Sequence, residues 1–344
     1  MKRPHLLMLG QYPLDKLDAA PKIRTYYLWK ALENLAEVTF ITGTRQSRRW
    51  PLLKLILAGN LKRFDAVYLE AATSTSMETD LLLLVLLKLA GIPIGIYIRD
   101  AYPLFGLTLV RNPKEWLLNK AWFISQWAYQ RLADILFFPT QSLAECFDFP
   151  SKALLPPAAR MGLVSEPFLG PFDTLLYAGH LSDENGWPLL KSAMELIHAK
   201  NPKIKLLALT PTVTPEQYPW LEIRRGVLED LLPDLPRIAA ALIPRPLTDY
   251  NHLAIPVKLM DYLSLGLPIV STDCNEMAEL IHDNHFGLIS SSESCVQFSE
   301  LCISIVNRIQ LRNEISTNII KSIEQKNNWD VRAKFLMGNL LSKI

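Results

Sequence analysis

Cysteine is sparse: Cys146, Cys274, Cys295 and Cys302 are the four in 344 residues, and none stands in a CxxC pair or beside histidine at metal-site intervals. That argues against a zinc centre or a disulfide framework and fits a reducing cytosol. Charge of either sign is not in excess either. A formal net charge of +2 gives no general reason to expect nucleic acid, so any anionic ligand must be held locally. No uninterrupted hydrophobic run reaches membrane length: Leu81 to Ile98 contains Lys88 and is broken by Gly91 and Pro93, and it reads as a buried helix, Asp80 to Ala90, followed by a buried strand, Ile92 to Ile98. The start, MKRPHLLMLGQYP, has too short an apolar core for a signal peptide and reads as a first strand. GxGxxG and GxxxxGK[ST] motifs are missing, which weakens nicotinamide and ATP-hydrolysis readings. No repeat, low-complexity tract or acidic tail occurs. An Asp-x-Asp pair suited to Mg²⁺ at a strand end is lacking too.

What is present is alternation. Short strand-like runs (HLLMLG, EVTFIT, AVYLEA, IPIGIYI, ILFFPT) are separated by the helical stretches Lys22 to Asn34, Leu52 to Leu61, Thr79 to Ala90 and Asn119 to Ala133. Such βαβ units imply a parallel sheet. Residues Leu155 to Asp173 then concentrate Pro and Gly as an interdomain connection should. The pattern restarts with TLLYAG, KIKLLALT, LEIRRG, AALIPR, LPIVST and FGLISS, with helices at Pro188 to Ala199, Leu228 to Leu235, Pro256 to Leu265 and Glu276 to His282. A chain of 344 residues exceeds the size at which one core keeps growing, so two α/β domains are expected. The expected division is 1–160, 161–325, and a last helix, 326–344, beginning near Trp329 and crossing back to the first domain.

The segment IPVKLMDYLSLGLPIVST, Ile255 to Thr272, puts a lysine and a carboxylate into an apolar helix. It follows a strand end, where ligands bind in open α/β sheets. A helix N-terminus favours anions, so Lys258 in the first turn is on the unfavourable end of the dipole. A cation there makes sense beneath a phosphate. Asp261, three residues on, could accept hydrogen bonds from two ribose hydroxyls. The plain alternative is an i,i+3 surface ion pair.

The run ALIPRPLTDYNHLAIPVKLMDYLSLGLPIVSTDCNEMAELI resembles the C-terminal donor-binding segment of retaining GT-B glycosyltransferases of the family 4 type (glycosyl transferases group 1). LLYAGHLSDENGWPLLKSAMELI is similar to that fold's Gly-rich strand-to-helix turn, RLADILFFPTQSLAECF to the last unit of its acceptor domain, and KALLPPAA to its interdomain entry. The resemblance implies two Rossmann-like parallel-sheet domains facing each other across a cleft. The N-terminal one would bind a glycan or lipid-linked acceptor and the C-terminal one a nucleoside diphosphate sugar. Hexosyl transfer to a hydroxyl, with retention of configuration, would need no metal or other cofactor. By that analogy Asp261 binds the ribose, Lys258 assists the diphosphate, and the Gly179 and Gly186 turns bring backbone amides close to phosphate.

Departures from the family pattern follow. His180 and Asn185 stand where the usual diphosphate Arg and Lys are found, leaving Arg245 and Lys258 as the nearest cations. The paired acids, eight residues apart, are incomplete: Leu253 precedes Asp261 at that distance, and Asp249 is the nearby substitute. In the first domain Arg99 and Asp100 follow a buried strand, with Arg99 in place of the family's His. Asp100 could take the acceptor's proton or merely cap the next turn. Arg24, at the start of its helix, could touch phosphate or acceptor, in a segment expected to lie over the site. Six basic residues between Arg45 and Phe64 surround an apolar helix with a Trp, the pattern of peripheral contact at the inner face of an anionic membrane. Trp116, Trp122, Phe123, Trp127 and Tyr129 could line a lipid or sugar groove or serve the core. The expected function is a cytoplasmic glycosyltransferase of polysaccharide or glycolipid biosynthesis. The rivals are a degenerate, non-catalytic partner of an active enzyme and a non-hydrolysing nucleotide-sugar epimerase.

Overall fold

The computed structural model describes residues 3–17, 19–71, 78–107, 112–212 and 217–343. The first loop expected over the site includes Asp18, which lies outside them. The chain divides into two compact units, Met1–Pro157 with Trp329–Ile344, and Ala158–Asn328.

The first unit alternates β1 (His5–Gly10), α1 (Ala20–Glu33), β2 (Glu37–Thr42), α2 (Arg45–Leu57), β3 (Ala66–Glu70), α3 (Glu78–Leu89), β4 (Ile94–Tyr97), α4 (Pro113–Leu132), β5 (Ile135–Phe138), α5 (Gln141–Glu145) and β6 (Lys152–Leu154). All six strands are parallel, in the order β2-β1-β3-β4-β5-β6. Because right-handed crossovers run leftward from β1 to β2 and rightward thereafter, α1 lies on one face and α2, α3 and α4 on the other. The core agrees: Leu7, Leu9, Val67, Leu69, Ile94 and Ile96 pack with Leu52, Leu83, Leu87, Trp122 and Tyr129 of α2 to α4.

The second unit runs β7 (Thr174–Ala178), α6 (Trp187–Lys200), β8 (Lys205–Leu209), β9 (Leu221–Arg224), β10 (Ile238–Ile243), α7 (Asp249–His252), α8 (Val257–Ser264), β11 (Ile269–Thr272), α9 (Asn275–Asp283), β12 (Gly287–Ser290), α10 (Cys295–Asn307) and α11 (Ile309–Gln325). Its parallel sheet has the order β12-β11-β10-β7-β8-β9. Strand order therefore reverses between β7 and β10, whose carboxyl ends form the topological switch point of this unit. The last helix, α12 (Trp329–Leu341), packs on α1 in the first unit.

Several elements differ from the sequence reading. Residues Leu228–Arg237 form a 3₁₀ run instead of an α-helix, because Pro233 and Pro236 deny it backbone donors. α2 starts at Arg45, not Leu52, since the Thr44 hydroxyl accepts from Ser47 N and caps a polar first turn. α4 starts at Pro113, not Asn119, behind the Asn112 cap that accepts from Glu115 N at 2.9 Å. The run from Leu81 to Ile98 is α3 and β4. Among the described residues no helix is long and apolar enough to cross a membrane.

Candidate functional site

In the second unit, β7 ends at Ala178 and Gly179 turns the chain at φ +135°. β10 runs beside it to Ile243 and Arg245, whose carbonyl accepts from the Thr272 hydroxyl at 2.6 Å. The connection from β10 then enters α8, and Lys258 in its first turn reaches back to β7. Its Nζ lies 4.7 Å from the centre of the Tyr177 ring. A Cβ on Gly179 would sit 3.1 Å from that ammonium, so the glycine leaves the room that Lys258 occupies. The ammonium is buried and has no hydrogen-bond partner. Burial, and then the Arg245 guanidinium, push it down to about 8. Two cations thus converge at the switch point, and the i,i+3 ion pair with Asp261 does not form.

Asp261 serves a different neighbourhood. Burial pushes its carboxyl up to about 6, Arg160 acting against the rise and Glu229 with it. Arg160 and Glu229 pair with each other, and Arg160 N donates to the Ser264 hydroxyl at 2.8 Å. Tyr262, next in sequence, anchors the helix: its phenol accepts from Ala178 N at 2.6 Å, tying α8 to the end of β7. Sequence reasoning missed Tyr177, Arg160 and Glu229. Only Tyr262 carried a signal, as the residue after the acid in the motif.

Gly186 holds the other turn. It caps α6 at φ +81°, and a Cβ there would overlap the Pro244 carbonyl, so only glycine lets the start of α6 press on the chain just before Arg245. Its neighbours sit at the rim. Asn185 donates to the Ser182 hydroxyl at 2.9 Å, and the exposed His180 ring lies 3.5 Å from the Thr212 hydroxyl. Asp249 is exposed in the first turn of α7, and Leu253 ends that helix.

In the first unit, Arg99 and Asp100 follow β4. Arg99 Nε donates to Asp100 Oδ2 at 2.7 Å and its terminal nitrogen to the Tyr12 phenol at 2.8 Å. Asp100 is therefore oriented at least in part by Arg99. Arg24 lies deeper than the sequence reading placed it. Its Nε donates to the buried Glu70 at 3.1 Å, and its guanidinium lies over Tyr97 at 3.7 Å and Trp329 at 5.8 Å. Glu70 also accepts from the Tyr68 phenol at 2.7 Å. Burial, the largest single influence, depresses the Arg24 guanidinium, but Glu70 together with Tyr97 and Tyr68 raises it above the ordinary range. Arg24 is thus deeply buried, and its two terminal nitrogens have no hydrogen-bond partner among the described residues.

The basic stretch from Arg45 to Phe64 is likewise partly internal. Arg48 makes two bonds to Asp80, at 2.7 and 2.9 Å, with both side chains buried. Arg45 and Arg49 both pair with Glu78. Lys54, Lys62 and Arg63 remain. Among the described residues no group of three or more His, Cys, Asp or Glu side chains is placed to hold a metal.

Residues 173–308, which contain Gly179, Gly186, Arg245, Lys258 and Asp261, match the sequence profile of the family described as glycosyl transferases group 1. No curated protein matches the chain at a significant level. Solved structures do. A sucrose-phosphate synthase from Thermosynechococcus elongatus is similar at TM-score 0.69 and 12% identity, covering 99% of each chain. The α,α-trehalose 6-phosphate synthase of Burkholderia multivorans is similar at 0.63 and 12%, covering 98% of each. A trehalose-6-phosphate structure from E. coli bound with UDP-2-fluoro glucose is similar at 0.60 and 11%, covering 98% of this chain and 99% of that one. At these identities the likeness establishes the fold, which is GT-B: two parallel six-stranded α/β sheets.

Proposed function

We propose that the protein is a glycosyltransferase that takes its sugar from a nucleoside diphosphate sugar and delivers it to a hydroxyl, with the donor on the second unit. One observation carries the reading. Lys258 is buried without a hydrogen-bond partner, beside Arg245 and against a glycine, at the switch point of a parallel sheet. A protein rarely retains an uncompensated ammonium in such a place unless a ligand supplies the counter-charge. A diphosphate does so, and the N-terminus of α8 adds free backbone donors on the same side. The stretch that matches the group 1 family contains every one of these residues.

In this reading the cations stabilise the leaving diphosphate as charge develops on it, which makes them electrostatic catalysts in place of the missing Arg and Lys at His180 and Asn185. Asp261 accepts from the ribose hydroxyls. On the first unit Asp100, oriented by Arg99, whose other end is held by Tyr12, takes the proton of the acceptor hydroxyl. Retention of configuration and a glycan or lipid-linked acceptor belong to the proposal through the family likeness, and the donor is a substrate, so no resident cofactor is needed.

A second reading is favoured by Leu253, which stands where the family's first acid would be: a nucleotide-binding partner without turnover. Calorimetric titration of UDP, GDP and ADP into wild type and Lys258→Ala tests the donor site. Binding of one nucleotide, weakened at least tenfold in the variant, is expected; no binding of any of them sinks the proposal. Release of nucleotide from the matching nucleotide sugar separates the enzyme from the non-catalytic partner.

A further inference from the structure

The outer surface of the α2 to α4 layer carries a feature that sugar transfer does not explain. α4 turns Trp122, Ser125, Gln126 and Tyr129 inward. On its opposite side Trp116, Leu117, Ile124 and Trp127 are 54%, 61%, 62% and 59% exposed. At about 100° per residue these four fall on one stripe, and so do Lys120 and Arg131. Lys120 Nζ lies 5.8 Å from the Trp116 ring centre and the Arg131 guanidinium carbon 5.0 Å from that of Trp127. Glu115, the acidic residue of α4, sits in the first turn and falls on the inward half of the helix. The stripe is therefore apolar with cations and no carboxylate, over a length of about 22 Å. α3, packed against α4, continues it with exposed Leu82, Val85 and Leu89.

We infer that α4 is a membrane-docking helix that lies in the headgroup region of an anionic bilayer with Trp116, Leu117, Ile124 and Trp127 inserted. Charge decides the occupant. A protein partner covering the stripe would have to bury two cations and supply carboxylates for them. An anionic lipid surface receives them without that cost, because each cation lies against a tryptophan whose ring belongs at headgroup depth while the charge stays among phosphates. The surface expected from sequence, Arg45 to Phe64, is the weaker candidate, since Arg48 is spent on Asp80 and Arg45 and Arg49 on Glu78. This inference does not rest on the proposed donor site, and either can fail without the other.

The test is flotation of the full chain with vesicles of phosphatidylcholine alone or mixed with phosphatidylglycerol. Binding to the anionic vesicles is expected, with much less to the neutral ones. At about 1 kcal/mol per basic residue near an anionic surface, Lys120→Gln/Arg131→Gln should lower partitioning roughly 30-fold. Trp116→Ser/Ile124→Ser/Trp127→Ser should abolish it. Tryptophan quenching by brominated lipid, lost in Trp116→Phe/Trp127→Phe, reports insertion directly. The residues are exposed, so unchanged thermal melting confirms that each variant is folded. No binding to anionic vesicles, or binding that all three variants retain, overturns the inference. So does a self-association that the serine variant abolishes while the wild type ignores vesicles, which would make a second copy the occupant.

Discussion

Replacing Lys258 with methionine should make the protein more stable and less able to bind nucleotide, and the size of the first effect follows from the structure. Burial, with Arg245 second, brings the ammonium from 10.5 down to about 8. At roughly 1.4 kcal/mol per pH unit, holding the protonated form in place costs the fold about 3 kcal/mol. The sign follows from proton binding. Between about 8 and 10.5 the unfolded chain keeps the proton that the folded chain has released, so wild-type stability rises with pH across that window, and the cost is present in full below it. Methionine fills a similar volume against Tyr177 and has no charge to desolvate. At pH 7 Lys258→Met should therefore melt higher, on the order of 5 °C, and the gain should shrink to nothing by about pH 10.5. Calorimetric melting of both proteins across pH 7 to 10.5 measures this, and nucleotide titration on the same samples should show affinity reduced at least tenfold. If the variant is no more stable than wild type, or its gain is the same at every pH, then the ammonium is already compensated in the fold and the argument that it marks a diphosphate fails.

Asp261→Asn should behave as a mirror image. The carboxyl is raised from 3.8 to about 6, so the folded state holds the extra proton, stability falls as pH rises through that window, and the asparagine variant should gain melting temperature above pH 6 but not below pH 4. A gain that persists at pH 3.5 would refute the assignment. Arg48→Met removes the counter-charge of the buried Asp80 carboxylate, and urea unfolding should show a loss of about 3–5 kcal/mol, much of it restored by also changing Asp80 to leucine. Gly186→Ala cannot keep both φ +81° and the contact with the Pro244 carbonyl, so the second unit should be destabilised by more than about 3 kcal/mol or fail to fold, as seen by circular dichroism and solubility.

The sheets were legible because their central strands are buried on both faces and read as short apolar runs. β6 was not, since Lys152–Leu154 is an edge strand with two exposed residues and offers no such run. Helix starts at Arg45 and Pro113 were hidden for a related reason: the apolar period begins a turn or more after the caps Thr44 and Asn112. In the site, sequence could mark Lys258 and Asp261 as charges out of place on an apolar helix. It could not say that they part company, because spacing defines a shared side of the helix and not what each side chain meets. Lys258 meets Tyr177, some 80 positions away, and Asp261 meets Arg160, which lies in the linker-like stretch before β7. Arg24 shows the converse. Its place in a first turn after a strand suggested a ligand contact, and nothing in the sequence pointed to its partners Glu70 and Tyr97, from two other strands.

The helix α12 follows the second unit in sequence yet belongs to the first. Its Leu340 meets the sheet at Gly95, where a Cβ would come within 2.7 Å of the leucine, and its Trp329 stacks over Tyr27 and Arg24. While the chain emerges from the ribosome, β1 to β6 must wait through the whole synthesis of the second unit with only α1 on that side of the sheet and the Trp329 ring not yet over Arg24. The second unit, continuous in sequence, can fold without delay. A chain interrupted before Trp329 would therefore lack a helix of the first unit while containing the whole of the second.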